Sequence, residues 1–162
     1  MQTFLPLPTV DFSETARVLD NKRLNKQALE GWQILLTLLE LDPQGNHRTP
    51  KGWVNHPAVK MWRGHEPLLW VYVMAMVQEW KSRGFKSTIG DKVTETIRQA
   101  HAVGRIEGFG TLPDWMQDSQ KFAEIASTHR QALLVKEYDW YKQFDWAEDT
   151  GSQPEHYEYI WS

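Results

Sequence analysis

The chain has 162 residues, enough for one domain with a real core, and its composition is ordinary for a soluble globular protein apart from nine tryptophans. It has no cysteine, which excludes a disulfide frame and thiolate chemistry, and a net charge of −3 gives no overall pull toward nucleic acid. That charge is unevenly spread: from Glu137 to Ser162 seven acids face one base, whereas residues 15–65 hold eight bases and four acids.

The opening MQTFLPLPTV lacks a charged leader and a long apolar run, so no secretory signal is expected. Ser13 is placed to cap a short helix, SETARVLD. A longer helix is expected over about 21–40, because Leu24, Ala28, Gly31, Leu35 and Leu38 recur at helical spacing. LDPQGNHRTPKGW reads as loop, and His56-Pro57 as the opening of a short turn ending near Arg63-Gly64. Apolar residues nearly encircle a helix expected from Glu66 to Arg83, ending at Gly84, which suits a central, buried element. Its core, PLLWVYVMAMV, is about half the roughly 20 residues of a membrane span, so a cytoplasmic protein without a membrane partner is expected. Further helices are expected over Asp91–Val103 and, after GFGTLPDW, over Ser119–Tyr138. The tail from residue 139 is aromatic, acidic and without helical period. No segment makes a convincing strand, and the fold class expected is all-α.

Three stretches carry candidate chemistry. In DNKRLNKQALE, Arg23, Gln27 and Glu30 share one helix line with Lys22 and Lys26 beside it. Alone this is a solvated face with Arg23–Gln27 and Lys26–Glu30 pairs; near a helix start it also offers backbone N–H groups to a phosphate. GWVNHPAVKMWRGHE sets His56, Lys60, Arg63 and His65 among Trp53, Met61 and Trp62. Cations beside rings suit nucleic acid, phosphate on the one and unstacked bases on the other, or equally a packed corner. STHRQALLVKEYDWYKQF adds Arg130, Lys136, Trp140 and Tyr141, either to such a surface or to a helix capped by aromatics. No H-E-x-x-H, cysteine pair, P-loop or G-x-S-x-G is present, so no metal is expected and amines remain as nucleophiles.

In order and spacing, MQTFLP, RVLDNKRLNKQ, NHPAVKMWRGHE, EWKSRGF, LPDW, STHRQALL and WYKQF resemble the pyrimidine-dimer DNA glycosylase (phage endonuclease V-like) family, most of all its bacterial branch. The resemblance implies a compact, single-domain, all-α fold over residues 1–162, with an irregular tail at 139–162 and no metal or cofactor. It also implies double-stranded DNA with a damaged or modified base as partner. In the family the free N-terminal α-amine attacks C1′ of the damaged nucleotide, displaces the base as an imine forms, and β-elimination cuts the strand. An α-amine titrates near 7.7–8.0, about two units or more below a lysine, so part of it is neutral at physiological pH.

Here Gln2 is too bulky for ordinary methionine removal, so the amine is that of Met1. The family's catalytic glutamate on the first long helix falls near Lys26-Gln27 in a gapless placement, and the nearest carboxylate on that face is Glu30. Met1, Glu30, Gln27 and Lys26 are thus the catalytic candidates. Arg130 matches the family's phosphate-binding arginine, and Trp140-Tyr141 its C-terminal aromatic pair. Lys22, Arg23, His56, Lys60, Arg63, His65 and Lys136 complete the candidate substrate surface. Two alternatives stay open: a non-catalytic module of the same fold holding nucleic acid or a small nucleotide, and a nucleotide hydrolase using Glu30 and a histidine.

Overall fold

A computed structural model describes residues 2–106 and 110–162. Eight α-helices account for the described fold: α1 (Phe12–Val18), α2 (Asn21–Leu38), α3 (Pro57–Lys60), α4 (Glu66–Ser82), α5 (Ile89–Ala102), α6 (Asp114–Gln117), α7 (Ser119–Lys136) and α8 (Tyr138–Tyr141). Among the described residues there is no strand, only an isolated bridge between Leu41 and His47. No described helix is long and apolar enough to cross a membrane.

Helix α4 is the centre, with α1, α2 and α5 packed against it. Its buried Leu69, Tyr72, Val73, Met76 and Val77 supply much of one continuous apolar core. The α2–α4 contact is close because of Gly31: a Cβ there would lie 2.4 Å from a Val73 methyl. Gly84, at φ +89°, ends α4 in the left-handed conformation that favours glycine.

Helix starts differ from the sequence reading in instructive ways. Ser13 does not cap α1; the Asp11 carboxylate does, accepting from the Ser13 N–H at 3.0 Å. Asp20 caps α2 and accepts from the N–H groups of Lys22 and Arg23 at 2.9 and 3.1 Å. The donors expected to await a phosphate at that helix start are therefore already spent on a protein carboxylate. Arg23 pairs with Asp20 and Glu137 rather than with Gln27, while the Lys26–Glu30 pair forms at 3.4 Å. The tail is irregular only from Asp145, because α8 and a 3-10 turn at Lys142–Phe144 extend helical backbone past residue 139. Helix α6 arises within LPDWMQ, which reads as connection in the sequence. Part of that connection, residues 107–109, lies outside the described residues.

Residues 2–6, although not helical, are buried. An extended segment can enter a core only if its peptide groups find partners. Side chains of three helices supply them. The Gln2 N–H donates to Glu30 of α2 at 3.0 Å, the Phe4 N–H to Gln27 of α2 at 2.7 Å, and the Leu5 N–H to His129 of α7 at 2.8 Å. The Tyr72 hydroxyl of α4 lies 2.9 Å from the Phe4 carbonyl and 2.8 Å from the same Gln27 oxygen, and its single hydrogen serves one of them at a time. Trp62 donates to the Thr3 hydroxyl at 3.0 Å.

Candidate active site

The stitched segment ends at a cavity of about 470 Å³. Gln2, Phe4, Gln27 and Glu30 form its inner side, and Lys22, Arg23, Lys26 and Lys136 bring cations to it. His56, Tyr157, Tyr159 and Trp161 complete the lining. Eight of these side chains come from α2, α7 and the first residues, so helical backbone and a buried segment fix most of the site.

Glu30 is the carboxylate of this cavity. One oxygen accepts the Gln2 N–H and the other lies 3.4 Å from the Lys26 ammonium. The residue is buried, at 9 % exposure, yet lines the cavity. Beside it the Tyr72 hydroxyl is held above its ordinary pKa, first by burial and then by the Glu30 charge, which keeps it a neutral donor.

His129 is the second buried polar group against the first residues, with no exposed surface. Burial holds its pKa down at about 3, so the ring is neutral near pH 7. Because Nδ1 accepts from Leu5, the ring hydrogen sits on Nε2, which lies 2.8 Å from the Gln2 carboxamide. The carboxamide must then turn its oxygen toward Nε2. That orientation gives the buried Gln2 oxygen a partner, while the amide nitrogen gives up its 3.3 Å bond to the Thr3 carbonyl.

The remaining sequence candidates divide into groups. Lys22, Arg23, Lys26, Lys136 and His56 meet at the cavity with Glu30 and Gln27. Gln27 is 1 % exposed and directs its carbonyl oxygen to Phe4, so its first role is to hold the buried segment. His56 caps α3 by accepting the Ala58 N–H at 3.1 Å, and burial lowers its pKa. Lys60 and Arg63 are exposed outside the cavity, Arg63 donating to the Val54 carbonyl. His65 lies 2.8 Å from the Thr111 carbonyl.

Arg130 is engaged on both sides of its guanidinium: two 2.7 Å bonds reach Glu148 and one of 2.8 Å reaches the Pro6 carbonyl. In this arrangement its charge is matched within the protein, and it braces the tail against the first residues. Tyr141 has no exposed surface; its hydroxyl donates to Asp20 at 2.5 Å. Its ring is therefore core, whereas the half-exposed Trp140 donates to the Val18 carbonyl at 2.9 Å. Met1 lies outside the described residues.

A model of the pyrimidine dimer DNA glycosylase family matches residues 1–93. The chain belongs to that family. The matched part holds the buried segment, α1 to α4 and the start of α5, and with them Glu30, Gln27 and Lys26. Residues 94–162, with His129, Arg130 and the aromatic tail, fall outside the match. No curated protein and no solved structure matches the chain. Membership makes this a chain of an enzyme family acting on damaged DNA.

Sequence reasoning missed Gln2, Phe4, His129 and the tail rings Tyr157, Tyr159 and Trp161 as lining or support. A signal for the rings was present. They alternate at period two, the mark of an extended strip with one face inward, and a search for helical period passes over it. Gln2, Phe4 and His129 carry no such mark, since their roles depend on the terminus crossing α2 and α7.

Proposed function

We propose that the protein is a DNA glycosylase with abasic-site lyase activity on damaged or modified bases, acting through a Schiff base from its N-terminal amine. One observation carries the reading: the Gln2 N–H, one residue from that amine, donates to the Glu30 carboxylate at a cavity edged with lysines. Lys26 and Gln27 stand one turn below Glu30 on the same helix and line the same cavity, which supports the reading.

The amine of Met1 adds its lone pair to C1′ of the target nucleotide. The C1′–N bond breaks, its electrons leave with the base, and a proton taken up by the base completes the departure. Positive charge develops on the sugar as the base leaves, and a carboxylate at Glu30 stabilises it. The C1′–O4′ bond then breaks, its electrons stay on O4′ with a proton released from the amine nitrogen, and the imine forms. With the imine drawing electrons, loss of a C2′ proton expels the 3′ phosphate and cuts the strand. Glu30 can accept that proton, and general acid–base work of this kind contributes about 10²–10⁴-fold. Lys26, 3.4 Å from Glu30, holds the carboxylate in place before substrate enters.

Lys22 and Lys26 neutralise phosphates as the strand approaches. The reading predicts that borohydride traps the protein covalently on abasic-site DNA. Absence of an adduct from protein with a free N-terminus, alongside intact binding, leaves the non-catalytic module as the better account.

A further inference from the structure

We propose that the end of the chain, Tyr157 to Trp161, is the wall on which one extruded base stacks in this site. The inference rests on the glycosylase reading, in which a nucleotide is turned out of the duplex. It adds the residues that meet its base: the tail rings, which lie outside the part of the chain the family model matches, with phosphates toward α2.

Four observations lead there. Tyr157, Tyr159 and Trp161 alternate with the exposed Glu158 and Ile160, so three rings of an extended segment share one side. All three line the cavity that also contains Glu30. They form part of a chain of ring contacts: Tyr157 to Tyr159 at 5.0 Å, Tyr159 to Trp161 at 5.2 Å, and Trp161 to His56 at 5.8 Å. His129 supports Tyr159 edge-on from beneath at 5.5 Å. The rings are tilted 61° and 54° to one another and Lys136 lies over Tyr157, so Tyr159 and Trp161 are the rings assigned to a base. A base stacks on a single ring face without its identity being read, because every base has a π-face.

Charge sets the orientation. Glu155 and Glu158 are exposed on the tail and repel a phosphate there. Lys136 is engaged with Tyr157, which leaves Lys22 and Lys26 of α2 as the lysines of the lining to meet a phosphate. At about 470 Å³ the cavity belongs to the size class of small-ligand pockets, about 300–1,000 Å³, and suits a single nucleotide rather than a length of duplex. Extrusion is cheapest at a damaged or mismatched base, so a one-base pocket also favours lesions. The tail keeps its position through a Lys136–Tyr157 bond of 3.0 Å and an Ile160 N–H to Thr128 bond of 3.3 Å.

The test uses 2-aminopurine deoxynucleoside 5′-monophosphate, whose fluorescence is quenched when it stacks on tyrosine or tryptophan. The full chain is expected to quench it saturably, and Tyr159→Leu and Trp161→Leu to weaken that binding by about tenfold or more. Borohydride trapping on abasic-site DNA, which has no base to stack, is expected to fall far less in the same variants. Equal quenching by wild type and both variants overturns the proposal. So does tighter probe binding by a chain shortened after Pro154, which would make the tail a cover rather than a wall. Failure of trapping in every protein, with ring-dependent quenching intact, refutes the amine chemistry and leaves the wall standing.

Discussion

At the scale of single residues the account turns on Glu30, whose carboxylate meets both the first peptide groups and the Lys26 ammonium. Glu30→Gln keeps an oxygen for the Gln2 N–H and removes the charge. It is expected to lower strand cleavage at an abasic site by about 10²–10⁴-fold with little change in melting temperature. A gel-based cleavage assay beside a thermal melt checks both halves. His129 makes a separate prediction. Its folded pKa of about 3 lies below the ordinary 6.5, so between those values the unfolded chain binds a proton that the folded chain does not. Stability therefore falls as pH drops below about 6.5, by roughly 2 kcal/mol at pH 5 from this group. Urea titrations at pH 7 and pH 5 measure it, and in His129→Leu this share of the difference disappears.

At the scale of elements, the α2–α4 contact depends on the absence of a side chain at Gly31. Gly31→Ala thrusts a methyl toward Val73 and is expected to cost about 1–3 kcal/mol despite alanine's better helix propensity. A melting curve reads the loss. Helices α2, α4, α5 and α7 were legible because three- and four-residue spacing of apolar positions is a strong local signal. The same spacing placed Lys26 and Glu30 on one face and found their pair. It cannot say which face a partner covers. Gln27 therefore reads as a surface group in the sequence, while the structure gives its oxygen to Phe4. Arg130 reads as an open cation, and Glu148, eighteen residues on, is the partner that folding brings to it. Ser13 gave way to Asp11 as cap because either residue type can serve and only backbone geometry decides. The Arg130–Glu148 pair ties the tail to α7, so Arg130→Met is expected to make residues 145–162 cut faster in limited proteolysis.

At the scale of the whole molecule, an acidic protein gathers cations at the cavity proposed to receive the strand. Lys22, Lys26 and Lys136 line the cavity. The seven acids of the last 26 residues lie on the tail and its approach, so total charge hides the local sign. Binding to abasic duplex should weaken steeply with salt, and Lys22→Ala should reduce the slope of log K against log salt by about 0.9, one phosphate contact. Fluorescence anisotropy at several salt concentrations shows it.

The decisive measurement is the position of the covalent bond. After borohydride reduction on abasic-site DNA, peptide mass mapping is expected to find the sugar remnant on the α-amine of the first residue, and an acetylated terminus is expected to give no adduct. A remnant on Lys26 or Lys22, or undiminished trapping by the acetylated protein, contradicts the account.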